Sequence, residues 1–140
     1  MIRLPLLAVC IALAMGQIAS AQVGPGEAPT PMRYAGEIFA EACAKTHPSF
    51  RRSGRVLEAN GFVKAPTGTY YHPDFNLSLK PTPRAACSIV AAFEGPDEDA
   101  VLAFGNAVTA RAGHLSINVD LDLRKPGNGK TYFFAVTKPN

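Results

Sequence analysis

Cys43 and His47 lie four residues apart, a spacing that on a continuous helix puts a thiol beside a base. That is the skeleton of a thiol nucleophile. Two features oppose it. Pro48 biases His47 away from helical geometry. Cys87 also offers Cys43 a partner, and an oxidised cysteine is no nucleophile. A second set is His72, Asp74, His114, Asp120, Asp122 and Glu58. A histidine within hydrogen-bond reach of a carboxylate could run acid–base hydrolysis. The sequence carries no HExxH or CxxC ligand spacing, and His72-Pro73-Asp74 reads as a turn. Asp120 and Asp122 share a polar strand face with His114, Ser116 and Asn118. Such a stripe suits Ca²⁺ or a carboxylate pair, but it is more simply the solvated side of an antiparallel sheet. No metal site and no cofactor is expected.

Arg51, Arg52 and Arg55 cluster within about one helical turn and form the candidate anion- or partner-binding group. Tyr70, Tyr71, Tyr132, Phe133 and Phe134 fall on two strands. An aromatic sheet face could be an interaction surface, and scattered packing is the plainer reading. No phosphate loop, nucleophile elbow, haem motif or nucleic-acid module signature is present. The sequon Asn76-Leu77-Ser78 is too short to carry weight.

Residues 1–21 set the context for this chemistry. Arg3 precedes an apolar run from Leu4 to Met15, and Ala19-Ser20-Ala21 has a small-x-small ending. This is the pattern of a cleaved export signal, too short for a bilayer span of about 20 residues. Cys10 would leave with the signal. As a lipidated cysteine it falls too early, after the bulky Val9. The expected location is the periplasm or extracellular space, with no transmembrane anchor in the mature chain. In an oxidising compartment Cys43 and Cys87 are expected to form a disulfide. The net charge of +3 drops by one with Arg3, too little to argue for nucleic acid.

The elements that must position these groups follow from periodicity. Residues 22–32, with Pro25, Pro29 and Pro31 beside Gly24 and Gly26, predict a flexible extended leader. One domain is expected over residues 33–140. A helix is predicted over 33–46, with Tyr34, Ile38, Phe39, Ala42 and Cys43 on its apolar side. A second helix is predicted from Pro48 to Ala59, stopped by Asn60-Gly61 with Phe62 as the hydrophobic cap contact. Strands are predicted over 69–72, 75–80 (ended by Pro81 and Pro83) and 86–93, the last an interior strand. A third helix from Asp97, capped by that residue, should bury Val101, Leu102, Phe104, Val108 and Ala112 and stop at Gly113. Leu115, Ile117, Val119, Leu121 and Leu123 alternate as a strand, and a turn at 126–129 leads to a last strand through Tyr132, Phe134 and Val136.

The expected class is α+β: an antiparallel sheet of four to five strands, two to three helices on one face, and one disulfide. The expected function is a small exported binding or accessory module without an evident catalytic site. Its partner would be an envelope protein or an anionic surface polymer. The alternative is a small secreted hydrolase using a histidine–carboxylate pair.

Overall fold

The computed structural model describes residues 23–113 and 129–140. Among these residues the chain forms α1 (Met32–Phe39), α2 (Ser53–Ala59), β1 (Val63–Lys64), β2 (Tyr70–Tyr71), β3 (Leu77–Thr82), β4 (Ala86–Phe93), α3 (Asp97–Ala112) and β5 (Thr131–Thr137). A π-helical turn, Ala40–Ala44, extends α1 without a break. The strands make one antiparallel sheet in the order β1-β2-β3-β4-β5. This is the expected α+β class. The strand expected over 115–123 and the turn at 126–128 lie outside the described residues, as do residues 1–22.

Alternation decides which sheet face is inward. Leu77 and Leu79 of β3, and Cys87, Ile89, Ala91 and Phe93 of β4, are buried. Lys80 is exposed, and Ser78, Ser88 and Val90 are partly so. The register then selects Phe133 and Ala135 of β5, which pair with Ala91 and Ile89. Both are fully buried. Tyr132 and Phe134 fall on the other face, and both are only half-buried. Within an unbroken aromatic run, only the partner strand settles the face.

α1 and α3 cover the inward face. Phe104 of α3 links the layers, with ring centroids 5.4 Å from Phe39 and 4.6 Å from Phe133. Gly36 lets the helices approach: a β-carbon there would collide with the Phe104 carbonyl and with Ala107. The α3 stripe is therefore Ala100, Phe104, Ala107 and Val108. Leu102, expected to be buried, is 63% exposed, because a helix that turns Phe104 inward carries position 102 about 200° away. The expected Asp97 cap is also corrected. Pro96 holds the N-cap position without a side-chain hydrogen bond, and Asp97, Glu98 and Asp99 occupy the first turn.

α2 ends as its sequence predicts. The Phe62 amide donates to the Leu57 carbonyl at 3.1 Å, and the Gly61 amide to Glu58 at 3.0 Å. Gly61 takes φ +84, a left-handed cap that glycine adopts without cost. Phe62 and Leu57 are both in the core. The start of α2 is different. It begins at Ser53, not Pro48. The His47–Pro48 bond is cis, Phe50 adopts φ +55, and the Phe50 ring is buried in the core. Burial of that ring outweighs an extra helical turn.

Pro81 lies within β3, paired with Cys87, where it was expected to end the strand. β2 pairs only with Ser78 and Leu79, so Pro81 stands where β3 has become an edge and no ladder amide is missed. The extended segment before α1, expected to be flexible, is anchored. Gly26 and Ala28 donate to the carbonyls of His72 and Asp74, Asn76 donates to Ala28, and Thr30 donates to Ala92. Thr30 Oγ1 adds a 2.8 Å bond to the Asn76 carbonyl.

Candidate functional site

Cys43 is the fourth residue of the π-helical turn Ala40–Ala44, and Cys87 sits at the second position of β4. They form a disulfide with Cα atoms 5.4 Å apart, and both residues are fully buried. The bond clips the N-terminal helix to the sheet, as the sequence predicts. It also removes the Cys43–His47 nucleophile reading, since Cys43 has no thiol. His47 has another task. Its Nε2 lies 2.8 Å from the Lys138 carbonyl, and its ring packs edge-on against Phe50.

His72 is a packed core residue. It stacks on Phe75 with centroids 4.7 Å apart and meets Phe62 and Tyr34 edge-on. The amides of Asp74 and Phe75 both donate to its Nδ1, each at 3.1 Å. Two donors on Nδ1 require the neutral ring with its proton on Nε2. Burial pushes the His72 pKa below the ordinary histidine value, and the Asp74 charge offsets this in part. Burial and then the Glu37 charge raise the neighbouring Tyr34 phenol. An imidazolium at position 72 would aim a third donor at the two amides, so this turn resists protonation. The sign of the pH effect follows. Below about pH 6.5 the unfolded chain takes up a proton that folded His72 refuses. Stability should fall as pH drops from there and level off beneath the lowered folded value, by no more than about 1.4 kcal/mol per pH unit. Asn at position 72 keeps an acceptor near Nδ1 but does not titrate. Urea midpoints at pH 7.5 and 5.0 should therefore differ more for the native chain than for His72→Asn. Equal differences would mean His72 titrates normally.

Of the other acid–base candidates, Asp74 and Glu58 are exposed, and His114, Asp120 and Asp122 lie outside the described residues. Among the described residues no group of three His, Cys, Asp or Glu could hold a metal ion. No helix among them is long and apolar enough to cross a membrane.

Arg51, Arg52 and Arg55 are all exposed. The structure gathers more cations around them than the sequence reading named. The Arg84 amide, in the β3–β4 turn, donates to the Ser49 carbonyl at 3.1 Å, which brings Arg84 beside the loop carrying Arg51 and Arg52. The His47–Lys138 bond ties the chain end after β5 to the same loop. Three separate stretches thus meet at one end of the sheet. They present Arg51, Arg52, Arg55, Arg84 and Lys138, with Lys80 two residues from the turn. Residues 46–57, 77–93 and 131–140 contain no Asp or Glu.

The cations of α1 and α3 are placed differently. Glu37 pairs with Arg33 at 3.1 Å and Arg111 at 3.6 Å; Glu41 pairs with Lys45 at 2.6 Å and Arg111 at 3.6 Å. Those surface pairs neutralise one another and add little stability each. Among the described residues no such pair is formed by Arg51, Arg52, Arg55, Arg84, Lys80 or Lys138. Two backbone outliers frame the cluster: Phe50 at φ +55, directly before Arg51, and Arg84 itself at φ +62. Non-glycine residues in this region are uncommon, and here they re-aim the two arms that carry the arginines.

Arg84 and Lys138 escaped the sequence reading, although a signal for Arg84 was present. It lies three residues before Cys87, and Arg51 lies eight after Cys43. Pairing the cysteines already draws the two arginine-bearing stretches toward each other. No family model matches this chain, and no similar curated protein or solved structure was found.

Proposed function

We propose that this chain is an exported binding module that recognises anionic groups through its basic pole. The observation that carries the reading is the meeting of six Lys and Arg side chains from three stretches, none of them in an ion pair among the described residues, with Glu58, three residues after Arg55, the one carboxylate of α2. Unpaired like charges repel, so a cluster left uncompensated favours a negatively charged ligand. Guanidinium groups supply the forked donors that match carboxylate, phosphate or sulfate oxygens in pairs. The disulfide and the hydrogen bonds at Ser49 and Lys138 hold the arms before a ligand arrives, which lowers the ordering cost of binding. Its partner is expected to be an envelope component bearing such anions.

The test is salt-dependent retention on an immobilised sulfated polysaccharide. Arg51→Gln with Arg52→Gln and Arg55→Gln should elute at markedly lower salt than a control with Arg33, Lys64 and Arg111 changed to Gln. Both variants lose three charges, so equal shifts would show that only net charge matters and would refute a localised site.

A further inference from the structure

We infer that the surface this pole meets is a bilayer face bearing anionic headgroups; the inference rests on the anion-binding reading above. The first reason is the segregation of charge along β4. Arg84 lies just before this strand, while Glu94 follows it directly and Asp97, Glu98 and Asp99 open the next helix. Glu27 and Asp74 stand at that same far end, since Ala28 bonds the Asp74 carbonyl and Thr30 bonds Ala92. At about 3.3 Å per residue, the eight residues of β4 separate the two groups by roughly 26 Å. That is several Debye lengths at physiological salt. Among the described residues cations therefore outnumber carboxylates at the Arg84 end of the sheet, and carboxylates outnumber cations at the other, where Lys130 donates to the Glu27 carbonyl. A charged plane orients such a molecule end-on, drawing in the basic pole and holding the acidic end away.

The second reason is the make-up of the tip. Pro48, Pro83 and Ala85, all exposed, stand among the cations in the loop and turn. Small apolar groups interspersed with arginines can meet a headgroup layer without burying a polar side chain that lacks a partner. Arginine adds bidentate contact to lipid phosphates. Each basic residue close to an anionic membrane contributes additively, so six on one tip give binding that no single contact would.

The experiment uses the full chain and sucrose-loaded vesicles of phosphatidylcholine, with or without 30 mol% phosphatidylglycerol. Sedimentation gives the partition coefficient. The ratio between the two vesicle types is the readout, so affinity from the apolar N-terminal segment cancels. The native chain should favour phosphatidylglycerol vesicles strongly at low salt. Arg51→Gln with Arg52→Gln and Arg84→Asn should lower that preference on the order of a hundredfold, from about fivefold per charge removed. Asn tolerates the left-handed backbone at position 84, so the variant keeps its turn, and circular dichroism checks this. Inorganic phosphate at 10 mM should not compete beyond its ionic strength. Equal binding to both vesicle types would overturn the inference. So would retention on soluble dextran sulfate without vesicle binding, which leaves the anion-binding reading standing. Binding to neither would remove both, and full competition by phosphate would assign the pole to a small anion.

Discussion

Replacing Cys43 and Cys87 together with Ala should cost about 4 kcal/mol of unfolding free energy, read as a lower urea midpoint under non-reducing conditions. The chain-entropy estimate for a bridge spanning 44 residues gives this figure. Both residues are fully buried among apolar neighbours, so Ala avoids burying a hydroxyl with no partner. Against a total of about 5–15 kcal/mol, the loss would leave the fold marginal. A second readout is specific to this architecture. The bridge joins the helix end that leads to Arg51 and Arg52 with the strand that leads from Arg84. Where the variant remains folded, its retention on the sulfated matrix should fall although no charge has changed. An unchanged midpoint would mean the bridge contributes nothing to stability. Unchanged retention would mean the two arms find their places without it.

The same bridge shows what the sequence could and could not reveal. Cys43 and Cys87 were the remaining cysteines after the apolar N-terminal segment, and their pairing needed no structure. The α2 stop was equally legible, since Asn60, Gly61 and Phe62 carry all the cap chemistry locally. β3 was legible through alternation, and β4 as a run apolar on both faces. What failed depended on partners distant in sequence. Leu102 looked like core until Gly36 and Ala107 fixed how α1 crosses α3. Pro48 looked like a helix start, because nothing near it shows that Phe50 is needed in the core. The segment before α1 looked free because its prolines and glycines give no periodicity. Its anchors are backbone groups of His72, Asp74, Asn76 and Ala92, and backbone groups leave no signature in side-chain composition. Half of the basic pole was visible in Arg51, Arg52 and Arg55. The other half required the turn at Arg84 to dock on Ser49.

The aromatic run of β5 gives the sharpest stability contrast within one strand. Phe133 is fully buried, its ring tilted against Phe104 with centroids 4.6 Å apart, and it is paired across the sheet with Ala91. Truncating it removes the ring that joins α3 to the sheet, and the helix layer cannot collapse into the space without parting from Phe39. Phe133→Ala should therefore cost about 3–5 kcal/mol. Tyr132 and Phe134 point to the other face and are half-buried. The Tyr132 hydroxyl accepts only a long 3.5 Å bond from Asn76 Nδ2. Tyr132→Ala should cost about half as much or less, since the transfer term scales with the apolar area removed from water. Urea unfolding of the two variants, followed by far-ultraviolet circular dichroism, measures both. If Tyr132→Ala proved the more damaging, the strand would present the opposite face to the helices. The pairing of Phe133 with Ala91 would then be shifted by one residue, because only a one-residue slip exchanges the two faces of a strand.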